Sequence, residues 1–109
     1  MSAGLHILRA GGSFIDAAIA TSAVLCVVEP WASHLGGDAF VVLYDAAKRQ
    51  TLALNGSGAA PQAAKPERFS NGIPLRGVVA ATVPGLVDAW FRLHALYGKL
   101  PFARLLEPA

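Results

Sequence analysis

Three histidines, seven carboxylates, one cysteine and two glycine-rich loops are the places where this 109-residue chain could do chemistry. His6, His34 and His94 lie far apart. They form no His-x-x-x-His or Cys-x-x-Cys pattern, so the spacing of a metal site is missing and no metal or cofactor is expected. Cys26 sits in the apolar stretch Ala23–Val28 with no cationic neighbour in sequence, which predicts a small buried hydrophobe and not a reactive thiolate. Asp16 follows Ser13 by three, the spacing of a capping box, and reads as a helix N-terminal charge. Asp38, beside Gly36-Gly37, is the one acid placed where function could sit; a plain turn is the other reading of it, and the favoured one. The loops Leu35-Gly36-Gly37-Asp38 and Asn55-Gly56-Ser57-Gly58 lack the glycine spacing of phosphate-binding loops. Their glycines would still let backbone approach a ligand closely, because no Cβ intervenes.

The elements that must hold these residues can be read from periodicity and breakers. A short helix spans Gly4–Ala10 and ends at Gly11-Gly12. Ser13 opens the strongest helix, which runs from Phe14 to Val28, is apolar nearly all round and is expected to be buried on most sides. Glu29-Pro30 stops it. Two strands follow the loop Trp31–Asp38. Phe40–Tyr44 is continuously apolar, as in a strand buried on both faces, and Thr51–Leu54 returns after a polar turn. Pro61–Pro74 carries three prolines and Asn71-Gly72, the mark of a surface loop. Val78–Val83 reads as a third, short strand. Thr82-Val83-Pro84-Gly85 starts another helix, with proline tolerated in its first turn; Leu86, Trp90, Leu93 and Tyr97 share one of its faces, and Gly98 caps it. A last helix, Phe102–Leu106, ends before Pro108. The class is α+β.

Composition narrows the function. Hydrophobic residues make up 54% and charged residues 15%, against about 25% charged in ordinary soluble domains. So low a charge excludes disorder and suggests apolar faces that other chain covers. The nine Lys and Arg are scattered, and with Lys48-Arg49 the only adjacent pair, no basic stripe marks a nucleic-acid surface. The longest apolar run, Ala17–Val28, is too short for a membrane span, which needs about 20 residues. From the residues alone, no catalytic centre is visible.

Several segments, in order, resemble the γ-glutamyltransferase (γ-glutamyltranspeptidase) family of N-terminal-nucleophile hydrolases. Ile7–Ala18 is similar to the family's ILRAGGNAVDAA opening. Val27-Val28-Glu29-Pro30 and Leu35–Phe40 resemble VVEP and GGDAF. Tyr44-Asp45, Leu54–Gly58 and Ala60-Pro61 match the hairpin and its exit, and Ala80–Gly85 and Tyr97–Leu106 resemble AATVPG and YGKLPWARLL. The resemblance covers essentially the whole chain.

It implies a fragment of a four-layer αββα fold, the N-terminal part of the large subunit, with residues 1–109 forming a single partial domain truncated at both ends. It further implies a precursor that cuts itself to expose a threonine beyond Ala109, which attacks a γ-glutamyl amide such as glutathione's with its own amine as base. The partners are then the γ-glutamyl substrate and the remainder of the precursor, the small subunit. None of Thr21, Thr51 and Thr82 matches that nucleophile, so no catalytic residue is expected here and the chain alone should be inactive. One departure bears on substrate. Glutathione-type members carry DGRETAP after the second hairpin strand, with an arginine that pairs with the substrate's α-carboxylate. Aligned on Ala60-Pro61, that arginine falls on Ser57, the candidate substrate-binding residue. The related NGSGRAP pattern places an arginine where this chain has Ala59. A relative acting on other amides, such as an acylase or a poly-γ-glutamate-processing enzyme, and a free-standing non-catalytic module are the alternatives.

Overall fold

The computed structural model describes residues 2–109. They divide into two compact units, one built from the chain up to Leu35 together with Val87–Ala109 and the other from Gly36–Leu86.

The first unit is helical. It holds α1 (Ser2–Arg9), α2 (Phe14–Val28), nearly all of α3 (Leu86–Tyr97) and α4 (Phe102–Leu106). α1 ends as expected, with the Gly11 and Gly12 amides bonding back to Leu8 and Ile7 carbonyls. The capping box of α2 forms in full: the Ser13 hydroxyl accepts from the Asp16 amide, and the Asp16 carboxylate accepts from the Ser13 amide. Such a cap contributes about 1 kcal/mol. α2 packs chiefly on α1 and α4. Ile15, Ala17, Ile19, Ala20 and Ala23 are buried there with Ile7 and Leu105. The expectation of burial on most sides is not met: Phe14, Ala18, Val27 and Val28 are exposed, because those two neighbours cover only one side of the helix. Leu86, Trp90 and Leu93 are buried on one face of α3 as the spacing predicts, and Tyr97, the fourth residue of that face, is half-buried. Phe91 stacks on Phe102 at 4.4 Å, which joins α3 to α4.

The second unit is built on a hairpin. β1 (Ala39–Asp45) and β2 (Gln50–Gly56) pair antiparallel with Val42 opposite Ala53. The turn is fastened by Asp45, whose Oδ1 accepts from the Lys48 amide at 3.1 Å, and Arg49 takes a left-handed φ of 52°. β1 alternates instead of being covered on both faces. Phe40 and Val42 are 73% and 75% exposed, while Val41 and Leu43 are half-buried. A two-stranded sheet has one face to pack within its own unit, and side chains of period two send every other residue to the other side. The expected third strand is also corrected. Val78–Ala80 is a 3-10 turn with Val78 93% exposed, and Gly77 before it turns the chain at φ 100°. The described residues contain two strands, and the α+β class stands. Residues 61–74 run as a surface loop with one 3-10 turn, Pro66–Phe69. No helix among the described residues is long and apolar enough to cross a membrane.

Candidate substrate-contacting site

Three segments of the second unit meet at the open end of the hairpin: the entry to β1 (Gly36–Asp38), the exit from β2 (Asn55–Gly58) and the approach to α3 (Val83–Gly85). Backbone hydrogen bonds clasp them. The Gly37 carbonyl accepts from the Gly85 and Leu86 amides, both at 3.0 Å, and the Gly58 amide donates to the Val83 carbonyl at 3.1 Å. Glycine is required at two of these points. A Cβ on Gly85 would strike the Gly56 carbonyl, and one on Gly58 would strike the Val83 carbonyl. These obstacles are backbone, which cannot swing aside.

Within the clasp, Ser57 is held on both its polar sides. Its amide donates to Asn55 Oδ1 at 2.9 Å, and its hydroxyl donates to Asp38 Oδ2 at 3.2 Å. The residue singled out at the exit of β2 is thus bonded to the acid singled out at the entry to β1. Nothing in a spacing of 19 residues pairs them in the sequence. Asp38 Oδ1 is shielded from solvent and meets no hydrogen-bond donor among the described residues. A cleft of about 510 Å3 opens beside the clasp, lined by Gly58, Pro61, Phe69, Ile73, Thr82 and Val83 among others. That volume lies within the range of small-molecule sites. Ala59 is exposed at the surface.

The remaining candidates serve structure. Asp16 is completely buried, and its role exceeds the cap read from sequence. Oδ2 also accepts from the Lys99 and Leu100 amides at 2.9 and 3.1 Å. Burial raises its pKa, but the amides of Ser13, Lys99 and Leu100 and the Ser13 hydroxyl outweigh that and leave it below the usual carboxylate value. His94 Nε2 lies 2.8 Å from the Leu100 carbonyl, which can only accept, so this nitrogen carries the proton. Asp16 Oδ1, 3.9 Å away, lies beyond hydrogen-bond distance of that nitrogen. The Thr21 hydroxyl bonds back to the Ala17 carbonyl inside α2. Cys26 is half-buried with Sγ 3.5 Å from Ser33 Oγ. No group of three potential ligands that could hold a metal ion occurs among the described residues.

The family model described as gamma-glutamyltranspeptidase matches residues 1–109. A glutathione hydrolase-like proenzyme, YwrD, of Bacillus subtilis is 42% identical over 98% of this chain and 21% of its own length. The glutathione hydrolase proenzyme of Pseudomonas aeruginosa is 40% identical over 95% of this chain and 20% of its own. The chain therefore spans about a fifth of the length of these curated relatives. Among solved structures, the gamma-glutamyltranspeptidase of Pseudomonas nitroreducens complexed with L-DON superposes with a TM-score of 0.86 at 34% identity, over 98% of this chain and 33% of that one. The cephalosporin acylase of Bacillus halodurans superposes equally well, at 0.86, with 44% identity over 98% of this chain and 20% of that one. Sequence order, fold and extent of match agree, and the chain belongs to the gamma-glutamyltranspeptidase family.

Proposed function

We propose that this chain is the early part of the large subunit of a self-cleaving amidase that hydrolyses or transfers acyl groups from γ-glutamyl amides, glutathione among them, and that residues 1–109 are one partial domain continuing on both sides. The nucleophile is a threonine beyond Ala109. Its hydroxyl attacks the amide carbonyl, its own amine takes the proton, and backbone amides hold the oxyanion. This chain's contribution is to position substrate, and the remainder of the precursor supplies the chemistry. The observation that carries the reading is the clasp. It fixes Ser57, the position aligned with the family's carboxylate-binding arginine, beside a cleft of substrate size.

The test is Ser57→Arg in the full-length, self-cleaved protein. A charge-assisted bond to a carboxylate contributes about 1.5–3 kcal/mol, or roughly 10- to 100-fold in kcat/KM for a γ-glutamyl anilide over an anilide lacking the α-carboxylate. Asp38 would compete for the new guanidinium, so Ser57→Arg with Asp38→Asn should gain more than Ser57→Arg alone. An unchanged ratio in both variants would show that the segment is a structural turn. The isolated chain should release no chromophore from a γ-glutamyl anilide above a buffer blank.

A second reading, an acylase acting on amides without that carboxylate, is favoured by the Ser57–Asp38 bond. It leaves a carboxylate where γ-glutamyl recognition calls for positive charge. Two like charges 5 Å apart at a partly wet site repel by about 1–3 kcal/mol. The relative solved as a cephalosporin acylase is also the more similar of the two structures in sequence, at 44% against 34%.

A further inference from the structure

The geometry points to the Asp38–Ser57 pair as a specificity-determining subsite that takes a hydrogen-bond donor, best an ammonium group, from the acyl portion of the substrate. This rests on the reading that the clasp borders the substrate of an amidase.

The case is a count of donors and acceptors. An anion is held by N–H and O–H groups, and at the clasp four backbone amides and the Ser57 hydroxyl are already engaged. The Ser57 amide goes to Asn55 Oδ1, the Gly58 amide to Val83, and the Gly85 and Leu86 amides to Gly37. The Ser57 hydroxyl has one proton, and Asp38 Oδ2 receives it. What remains to offer a ligand is acceptor capacity: the lone pairs of the Ser57 hydroxyl and the remaining lone pair of Asp38 Oδ2. Asp38 Oδ1 is removed from water and meets no donor among the described residues, so it adds uncompensated negative charge to the pair without itself being open to a ligand. No Lys or Arg among the described residues pairs with Asp38 to neutralise it. Lys48 is bound to Asp45, and Arg68 to the Ala63 carbonyl. The Ser57 bond also fixes the carboxylate in one orientation, so a ligand would meet a prepared acceptor. A substrate carboxylate here would meet a like charge and no free donor on these groups. An N–H or ammonium would meet a charged acceptor with a second oxygen, the Ser57 Oγ, beside it.

The experiment uses the full-length, self-cleaved protein and three p-nitroanilides of equal acyl length whose far end is an ammonium, a methyl or a carboxylate group. The expected order of kcat/KM is ammonium, methyl, carboxylate, with at least tenfold between the first two. Asp38→Asn, which keeps shape and removes charge, should shrink the ammonium-to-methyl ratio at least fivefold. Ser57→Ala, which leaves the charge, should keep the ammonium preference. A ratio unmoved by Asp38→Asn, or all three rates falling together, would overturn the assignment, since a merely structural Asp38 acts on every substrate alike. If the wild-type protein cleaves none of the three, the amidase reading fails on its own, and calorimetric binding of n-pentylammonium decides the subsite. Binding lost in Asp38→Asn supports the assignment; no binding, or equal binding in both, refutes it.

Discussion

Replacing Asp16 tests the structural argument where its magnitude is largest. One carboxylate oxygen, in a residue with no exposed surface, accepts from the Ser13, Lys99 and Leu100 amides. In Asp16→Ala three N–H groups, one buried and two part-buried, lose a charged acceptor. Taken singly, such bonds contribute about 1.5–3 kcal/mol each. They share one oxygen and water can partly replace it, so about 3–5 kcal/mol is the reasonable total, as for other broken buried charge networks. Asp16→Asn keeps an oxygen but no charge and should cost about half that. The readout is amide hydrogen exchange by mass spectrometry on peptides covering residues 98–100 and the first turn of α2. At about 1.4 kcal/mol per tenfold, Asp16→Ala should accelerate exchange of the Lys99 and Leu100 amides at least 100-fold, and Asp16→Asn roughly tenfold. If Asp16→Ala changes these amides less than threefold while the protein stays folded, the carboxylate is not what holds this junction.

The same group gives a pH dependence. Its folded pKa lies below the unfolded value of about 3.9, so its stabilisation is complete above about pH 4 and is lost as pH falls through the folded pKa; Asp16→Asn should flatten that acid limb in a titration of unfolding. Ile19 is 1% exposed whereas Ala18 is exposed, so Ile19→Asp should cost several kcal/mol and Ala18→Asp under about 1, a contrast that melting temperatures of the two variants will show. Gly85→Ala should open the clasp, because its Cβ meets the Gly56 carbonyl. The signature would be faster exchange of the Gly58 amide, with the α2 amides unchanged.

What could be read from sequence here is what depends on near neighbours along the chain. The capping box at Ser13, the stop before Pro30, the buried face of α3 and the turn between β1 and β2 follow from spacings of a few residues, and all four form. Asp16 looked like a cap because its first partner is three residues away; its other two lie 83 and 84 residues on, and no local signal points there. Asp38 reads locally as a turn residue for the same reason, its partner lying 19 residues on, past the second strand. Val78–Val83 misled differently. Apolar β-branched composition describes a strand only when another strand is there to pair with it, and this segment makes a 3-10 turn instead. The continuous apolar run of β1 suggested cover on both faces, but the hairpin leaves Phe40 and Val42 bare.

The bonds from Gly85 and Leu86 to the Gly37 carbonyl also bear on the order in which the chain folds. Linking Asp16 to amides 83 and 84 positions downstream closes a long loop, an entropy cost that scales as (3/2)RT ln n and comes to roughly 4 kcal/mol for an open coil of that length. A Gly36–Leu86 segment that has already folded brings its own two ends together at Gly37, and the effective tether shrinks to the short flanks on either side. During synthesis, at about 5–20 residues per second, the hairpin and its clasp leave the ribosome before Lys99 and Leu100 do. Vectorial synthesis thus presents the pre-closed insertion first and the amides that complete the helical unit last, and a defect at Gly85 would delay the helical unit without altering any residue within it.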